Sequence, residues 1–562
     1  MKITGAQALM KALLKEKVDI IFGYPGGAIM PIYDALYDYE DQIHHVLVRH
    51  EQGAAHAAEG FARVTGKPGV CFATSGPGAT NLVTGIMDAM IDSVPIVCIT
   101  GQVAAHLVGT DAFQETDVIG ITTPITKWNF QVTEASEIPE AIARAFYIAK
   151  SGRPGPVVID ITKNAQFETF EYDESQYPTR FNENHPIPPV AQEEIKKAAE
   201  LLNNAKRPFI LAGHGVLISK ADQQLMEFSE KAHIPVATTL HGLSSFPSEH
   251  PNYVGMLGMH GNYGPNLLTN KADVIFAVGM RFDDRVTGRL KDYAKQAKII
   301  HVEVDPAEIN KNVRNEVSLV GDAKNVLSEL IPHIQEHNHT EWFDEFKKLH
   351  TEEFEKVIKF EIHPTKPKLN MAEVVNALSE KTKGEAIVVA DVGQHQMITA
   401  RYFKFKHPDS FITSGGAGTM GFALPASIGA KFAAKDKDVI AIIGDGCFQM
   451  TIQELATIAQ EELPVKIVIL NNNYLGMVRQ WQELFFEKRY SFVDLKNPDF
   501  VAVTKGFYID AERVDKREDL DGALQRMLDS KKPYLLDIHV GKEDNVFPMI
   551  PSGASVEEVK LE

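Results

Sequence analysis

The stretch that most constrains this chain is residues 441–481, AIIGDGCFQMTIQELATIAQEELPVKIVILNNNYLGMVRQW. Two short apolar runs, residues 441–443 and 465–470, read as buried strands with a helix between them. Such a unit crosses over right-handed, so both strands end at one rim of a parallel sheet. The glycine turn after the first, Gly444-Asp445-Gly446, and the asparagine pair after the second, Asn471-Asn472, then face one point. A carboxylate, an amide oxygen and free backbone N–H groups suit a hard divalent cation holding a diphosphate. Taken singly, each feature is also ordinary turn chemistry, and it is the pairing at the ends of two neighbouring strands that is specific.

The chain around this unit has 562 residues, which at about 150 per domain implies three or four domains. A net charge of −18 argues against a nucleic-acid or anionic-membrane partner. The three cysteines, Cys71, Cys98 and Cys447, lie in or beside apolar runs, as small core residues of a reducing compartment do. The N-terminal residues read as an amphipathic helix and a strand rather than a secretion signal, and no run reaches the ~18 apolar residues of a membrane span. These features imply a soluble, cytoplasmic protein.

Residues 1–170 alternate strands (20–22, 46–48, 69–73, 96–100, 157–161) with helices, which implies a parallel sheet covered on both faces. Residues 171–190, with four prolines, read as a linker. A middle domain, 191–345, alternates again, with strands at 209–212, 236–238, 274–278 and 299–304. A second linker, 346–368, leads to a last domain, 369–545, with strands at 386–390, 411–413, 439–443, 465–470 and 534–539, and to a tail, 546–562. Residues 61–100 and 429–470 share one order of helix, strand, glycine turn, helix, proline and strand, so the outer domains read as an internal repeat. The expected fold is α/β: three doubly wound parallel-sheet domains, two related outer ones flanking a Rossmann-like middle one.

A diphosphate cradle of this kind fits thiamine diphosphate, whose aminopyrimidine needs a carboxyl group at its ring nitrogen before it can take the proton from the thiazolium C2. Glu51, in RHEQGAAHAAEG, follows an apolar strand and opens a helix rich in alanine and glycine; its other reading is a helix-start glutamate favoured by the dipole. With these residues and the motifs YPGGAIMP, TSGPGATN, GTDAFQETD, TKWN, LGMHG, RFDDRVTG, GGAGTMG and NNNYLGMVRQWQ, the chain resembles the thiamine diphosphate enzymes. Within them it is similar over nearly its whole length to the large catalytic subunits of the FAD-binding acetohydroxyacid synthases.

The resemblance implies pyrimidine-binding and diphosphate-binding outer domains, with Glu51 of one subunit serving the cofactor of another, so a homodimer or tetramer is expected, and a small regulatory subunit is a partner such chains take. Asp445, Asn472 and the Tyr474 carbonyl would hold Mg2+, and Gly444, Gly446 and Met477 would line the thiamine diphosphate. Gly418 would accept from the aminopyrimidine and Met420 would bend the cofactor. Gly27 would face the reacting carbon, while Phe113, Gln114 and Lys127 would line the entrance.

Arg285 offers a fork for the carboxylate of the second substrate, and Trp481 a surface for its alkyl tail. The alternatives are an ion pair of Arg285 with Asp283 or Asp284, and core packing for Trp481. FAD, in a structural role, would take Gly213 and Gly215 (LAGHGV), Thr239 and Leu240 (TTL), and Leu257, Gly258, Met259 and His260 (LGMHG). It would also take Gly279, Arg281, Asp283 and Arg285 (VGMRFDDR), Glu303 and Val304 (VEVD), and Asp322 and Ala323 (GDA).

The implied reaction decarboxylates pyruvate and transfers the hydroxyethyl unit to pyruvate or 2-oxobutyrate, in branched-chain amino acid biosynthesis. The competing readings are a catabolic acetolactate synthase, a thiamine and FAD enzyme of pyruvate oxidase type, and a flavin-binding scaffold without catalysis, the last opposed by intact Glu51, Asp445 and Asn472. His44-His45 is read as a surface pair, and Ala104 stands where many synthases carry proline.

Overall fold

The apolar runs build three six-stranded sheets in which every neighbouring pair is parallel. The computed structural model describes residues 1–178, 181, 187 and 189–562. Across the first sheet the strands lie in the order His44–Leu47, Ile20–Gly23, Gly69–Ala73, Ile96–Gln102, Val157–Thr162, Trp128–Val132. Across the last they lie Phe411–Thr413, Ile387–Ala390, Val439–Gly444, Lys466–Asn471, Tyr534–His539, Asp510–Val514. Ranked by chain order within each domain, both sheets read 2-1-3-4-6-5. The outer domains therefore share one topology, as the repeat implies.

The middle sheet differs: Tyr253–Met256, Val236–Thr238, Pro208–Ala212, Val274–Val278, Lys298–Glu303, Val317–Val320, or 3-2-1-4-5-6. This is the dinucleotide-binding order, with its crevice where the order reverses, between Pro208–Ala212 and Val274–Val278.

Within the three large sheets four strands lie beyond the sequence reading: Trp128–Val132, Tyr253–Met256, Val317–Val320 and Asp510–Val514, all at sheet edges. Central strands are apolar on both faces, whereas an edge such as DAERV alternates with polar residues and lacks the signal.

The outer domains pack through two helices. Glu51–Thr65 crosses Ala423–Ala433 so closely that a Cβ on Gly429 would sit 1.8 Å from the Ala57 carbonyl oxygen, and one on Gly60 2.0 Å from that of Ala426. Phe22, Ala57 and Phe61 share one core with Phe422, Ala426 and Phe448. A buried Glu454 crosses the seam, accepting from the Arg49 amide at 3.1 Å and from Thr457 Oγ1 at 2.7 Å.

Both expected linkers carry structure. Thr169–Glu171 pairs antiparallel with Lys2–Thr4, and Tyr172 and Tyr177 are buried, so the chain stays on the first domain past residue 170. Residues 179–180, 182–186 and 188 of that linker lie outside the described residues. The second is a helical brace: Thr340–Glu353 continues through Lys359–Ile362. Trp342 of this brace packs into the middle domain, and its fully buried Glu353 accepts from Arg401 of the last domain at 2.6 Å.

The tail is likewise part of a core. The Ile550 amide donates to the Met259 carbonyl at 2.8 Å, that of Arg289 to Ala554 at 2.9 Å, and Val556 is buried among middle-domain side chains.

The three cysteines are buried and free. The histidine pair divides: His44 is exposed and bonds Glu461 at 2.8 Å, whereas His45 turns inward to the Tyr33 hydroxyl at 2.9 Å, so only the first is a surface residue. Inward placement follows from strand alternation, which sends neighbours to opposite faces. No described helix is long and apolar enough to cross a membrane.

Candidate active site

Strands Val439–Gly444 and Lys466–Asn471 are direct neighbours, with Gly444 opposite Leu470, so the residues that follow them, Asp445 and Asn472, meet at one rim. The glycine turn is tighter than its sequence implies. Gly444 ends the strand and Asp445 already begins helix Asp445–Thr451, which aims the first amides of that helix into the cavity.

Asp445 is 1% exposed, and Asn497 Nδ2 donates to its Oδ2 at 2.6 Å. Among the described residues it has no ion-pair partner, and burial pushes its carboxyl up to about 6 against the pull of Asn497 and nearby amides. A buried carboxylate without a cation is unfavourable unless one is supplied, and here a divalent ion fits. Asn472 is buried beside it, and its Oδ1 accepts from the Tyr474 amide at 3.0 Å. The carbonyl of Tyr474 takes no hydrogen bond among the described residues and remains available as a ligand.

These residues line a cavity of about 390 Å3 together with Gly444, Gly446, Met420 and Met477. Gln394 and His395, which the sequence reading passed over, line it too. They open helix Gln394–Tyr402 after Ile387–Ala390, the strand on the other side of Val439–Gly444. The His395 imidazole is fully buried, burial pushes it down to about 3, and its Nε2 has no partner among the described residues. A neutral ring with a free nitrogen at a helix start suits an anion's oxygen. The signal was present in DVGQHQ, a glycine and polar residues straight after an apolar strand.

Glu51 opens helix Glu51–Thr65 in the first domain, is 8% exposed, and accepts from Asn81 Nδ2 at 2.9 Å. The cavity at Asp445 is lined only by residues between 371 and 478, so Glu51 lies outside it. Gly27 faces open space, with nothing within 4 Å of where a Cβ would stand, and Phe113 is 88% exposed. Gln114 holds a left-handed backbone, φ 60°, against Gly76.

The Lys127 ammonium turns elsewhere. It donates to the carbonyls of Ile148 and Ser151 at the end of helix Ile138–Lys150, and burial pushes it down to about 8. A cation on the last carbonyls of a helix is a C-terminal cap.

The crevice at this reversal is an open cleft with about 890 Å3 of free space, part of it bulk solvent. Gly215, Thr239, Gly279, Arg281, Asp283, Glu303, Val304, Asp322 and Ala323 line it, facing Asp92, Ser93 and Arg153 of the first domain. Gly213 and Gly279 approach so closely that a Cβ on the former would stand 2.4 Å from the carbonyl oxygen of the latter. Glu303, at the end of its strand, accepts from the amides of Val304 at 2.9 Å and Asp305 at 3.1 Å, and burial raises its carboxyl.

Leu240, Leu257, Gly258, Met259 and His260 do not line this crevice. The last four form a loop against Arg285, whose carbonyl accepts from the Met259 amide at 2.8 Å, and against the tail.

The Arg285 guanidinium is exposed, 3.9 Å from Asp284 and 3.6 Å from Met259 Sδ, and so makes no close ion pair. Trp481 is half-buried on helix Gly476–Phe485, one turn beyond the cavity-lining Met477, with its ring 5.0 Å from that of Phe485. It is a rim residue rather than a core one.

Three family models match successive stretches of the chain. Residues 3–121 match the N-terminal TPP binding domain of the thiamine pyrophosphate enzymes, 195–330 the central domain, and 391–538 the C-terminal TPP binding domain. The chain is 46% identical to the probable acetolactate synthase large subunit of Methanocaldococcus jannaschii, over 99% of this chain and 95% of the relative. It is 46% identical to the acetolactate synthase large subunit of Corynebacterium glutamicum, over 100% and 90%. It is 45% identical to the acetolactate synthase isozyme 2 large subunit of Escherichia coli, over 99% and 99%.

Proposed function

The chain belongs to the thiamine pyrophosphate enzyme family and, within it, to the acetolactate synthase large subunits, and from that membership we propose that it decarboxylates pyruvate and joins the two-carbon unit to a second 2-oxo acid. With pyruvate as acceptor the product is 2-acetolactate, and with 2-oxobutyrate it is 2-aceto-2-hydroxybutyrate, in cytoplasmic synthesis of the branched-chain amino acids. The observation that carries this reading is the buried pairing of Asp445 and Asn472 at one sheet rim, with no ion-pair partner for Asp445 among the described residues.

Bound thiamine diphosphate supplies the electron sink that lets a 2-oxo acid lose its carboxylate. In this reading Asp445, Asn472 and the Tyr474 carbonyl hold Mg2+. The helix starts at Asp445 and Gln394, with His395, receive the diphosphate oxygens. The Glu51 carboxyl would hydrogen-bond the far pyrimidine nitrogen, the Gly418 carbonyl would accept from the amino group, and Met420 would pack against the cofactor. Arg285 pairs with the acceptor's carboxylate, and Trp481 packs on its alkyl tail.

In this reading Glu51 reaches the Asp445 cavity, which is lined from the last domain, from a second copy, with a homodimer as the smallest active unit. Tetramers and a small regulatory subunit are further assemblies this reading accommodates. FAD fills the middle-domain crevice without exchanging electrons.

The test is anaerobic incubation of the full chain with pyruvate, with and without 2-oxobutyrate, in Mg2+, thiamine diphosphate and FAD. Acetolactate formed while FAD stays oxidised supports the reading, and turnover that requires oxygen or a quinone overturns it.

A further inference from the structure

Asp92 ends helix Val83–Asp92, is 3% exposed, and meets groups from all three domains. Its Oδ2 receives Arg63 Nη2 of the Glu51 helix at 2.9 Å and the Gly415 amide of the last domain at 3.0 Å. Its Oδ1 receives the Gly416 amide at 2.7 Å and lies 3.0 Å from Nε2 of His241, a middle-domain residue.

On one side this carboxylate borders the flavin crevice. Asp92, His214 and His241 all line it, and the two imidazoles stack with centroids 5.5 Å apart. On the other side Gly415 and Gly416 open the loop that carries Gly418 and Met420. That loop is pinned a second time from the same helix, because Ser414 Oγ donates to Asp88 Oδ1 at 2.8 Å and accepts from the Thr419 amide at 2.8 Å. Contact between crevice and loop is direct: a Cβ on Gly415 would lie 2.2 Å from His241 Nε2, so the imidazole packs against the Gly415 backbone.

We propose that Asp92 and His241 are positioning residues that couple flavin binding to thiamine diphosphate binding. Flavin in the crevice holds His241 against Asp92, and Asp92 in turn holds the backbone of Gly415 and Gly416, which sets where Gly418 and Met420 stand. The linkage is reciprocal, so thiamine diphosphate tightens flavin by the same factor. This inference rests on the flavin reading of the crevice. It gives a non-redox flavin a task, which is to hold the thiamine loop.

The test uses the full chain stripped of both cofactors. Thiamine diphosphate affinity is read in excess Mg2+ from tryptophan fluorescence, without FAD and with saturating FAD, and FAD binding is read separately from quenching of flavin emission. In the unaltered chain FAD tightens thiamine diphosphate by about tenfold, the middle of the usual range for linked sites. In Asp92→Asn and in His241→Ala that ratio falls to within about twofold of one, while each cofactor still binds alone. If Asp92→Asn does not fold, His241→Ala decides, because it leaves Arg63 and both amides on Asp92.

A ratio of one in the unaltered chain with FAD bound overturns the proposal. Variants that weaken both affinities but keep the ratio also overturn it, since that is what a merely structural role would do. Failure of FAD to bind at all overturns the reading of the crevice and the coupling with it.

Discussion

Glu454→Gln tests the seam between the outer domains. Glu454 is fully buried and bonds the Arg49 amide and Thr457 Oγ1, two residues before the Glu51 helix begins. Burial pushes its carboxyl up from 4.5 to about 7, with Thr457 and the Arg49 amide pulling the other way. Between pH 4.5 and 7 the folded chain therefore holds a proton that the unfolded chain releases, and stability falls as pH rises through that window.

At about 1.4 kcal/mol per pH unit, the ionised carboxylate costs the fold about 3 kcal/mol at pH 8. Glutamine has the shape of the protonated form and escapes that cost, but replaces one oxygen acceptor with an NH2 donor, at about 1 kcal/mol. The variant should be more stable by about 2 kcal/mol at pH 8, a rise of roughly 4–8 °C for a domain of this size. At pH 5 the two proteins should unfold within about 2 °C of each other. Calorimetric scans of the cofactor-free chain from pH 5 to 8 measure this. A variant destabilised equally at both ends would mean that Glu454 is ionised and paired in the folded chain, and the reasoning would fail.

Glu51→Gln should bind thiamine diphosphate as before yet lose about 10²- to 10⁴-fold in turnover, read as acetolactate formed per site; undiminished turnover removes the residue from proton transfer. Arg285→Lys and Trp481→Leu should leave pyruvate decarboxylation in place while shifting the product ratio when pyruvate and 2-oxobutyrate compete, and an unshifted ratio in both refutes their assignment. Gly429→Ala drives a methyl group to 1.8 Å from the Ala57 carbonyl oxygen. It should lower the unfolding transition by at least the ~1–3 kcal/mol of an overpacked core, and an unchanged transition would mean that the two helices can separate freely.

The central strands were legible because residues such as those of Val439–Gly444 are apolar on both faces, and the rim pairing of Asp445 with Asn472 followed from crossover handedness alone. Four of the six edge strands were not, since one side of each meets solvent and polar residues or glycine interrupt their apolar runs. The crevice could be placed from its glycines and Glu303, but the separation of Leu257–His260 from it depends on how the tail packs, which local pattern does not encode. Local pattern does not show where the Lys127 ammonium bonds either, because the carbonyls that hold it come from a helix end more than twenty residues away. Asp92 sits in MDAMID, which reads as one turn of an amphipathic helix, and its meeting with His241 and Gly415 exists only once three domains are assembled.

The seating of residues 549–560 on the middle domain bears on the order in which this polypeptide is finished at the ribosome. The middle sheet emerges second, but Ile550, Ala554 and Val556 belong to its core and emerge only after the entire last domain has been made. While some two hundred later residues are being translated, the Met259 and Arg289 segments lack their covering layer, and an apolar surface stays open to misassociation. Emergence of residues 549–560 is thus the step that seals a domain synthesised long before, and a product stalled or clipped ahead of them would expose its defect far upstream of the break.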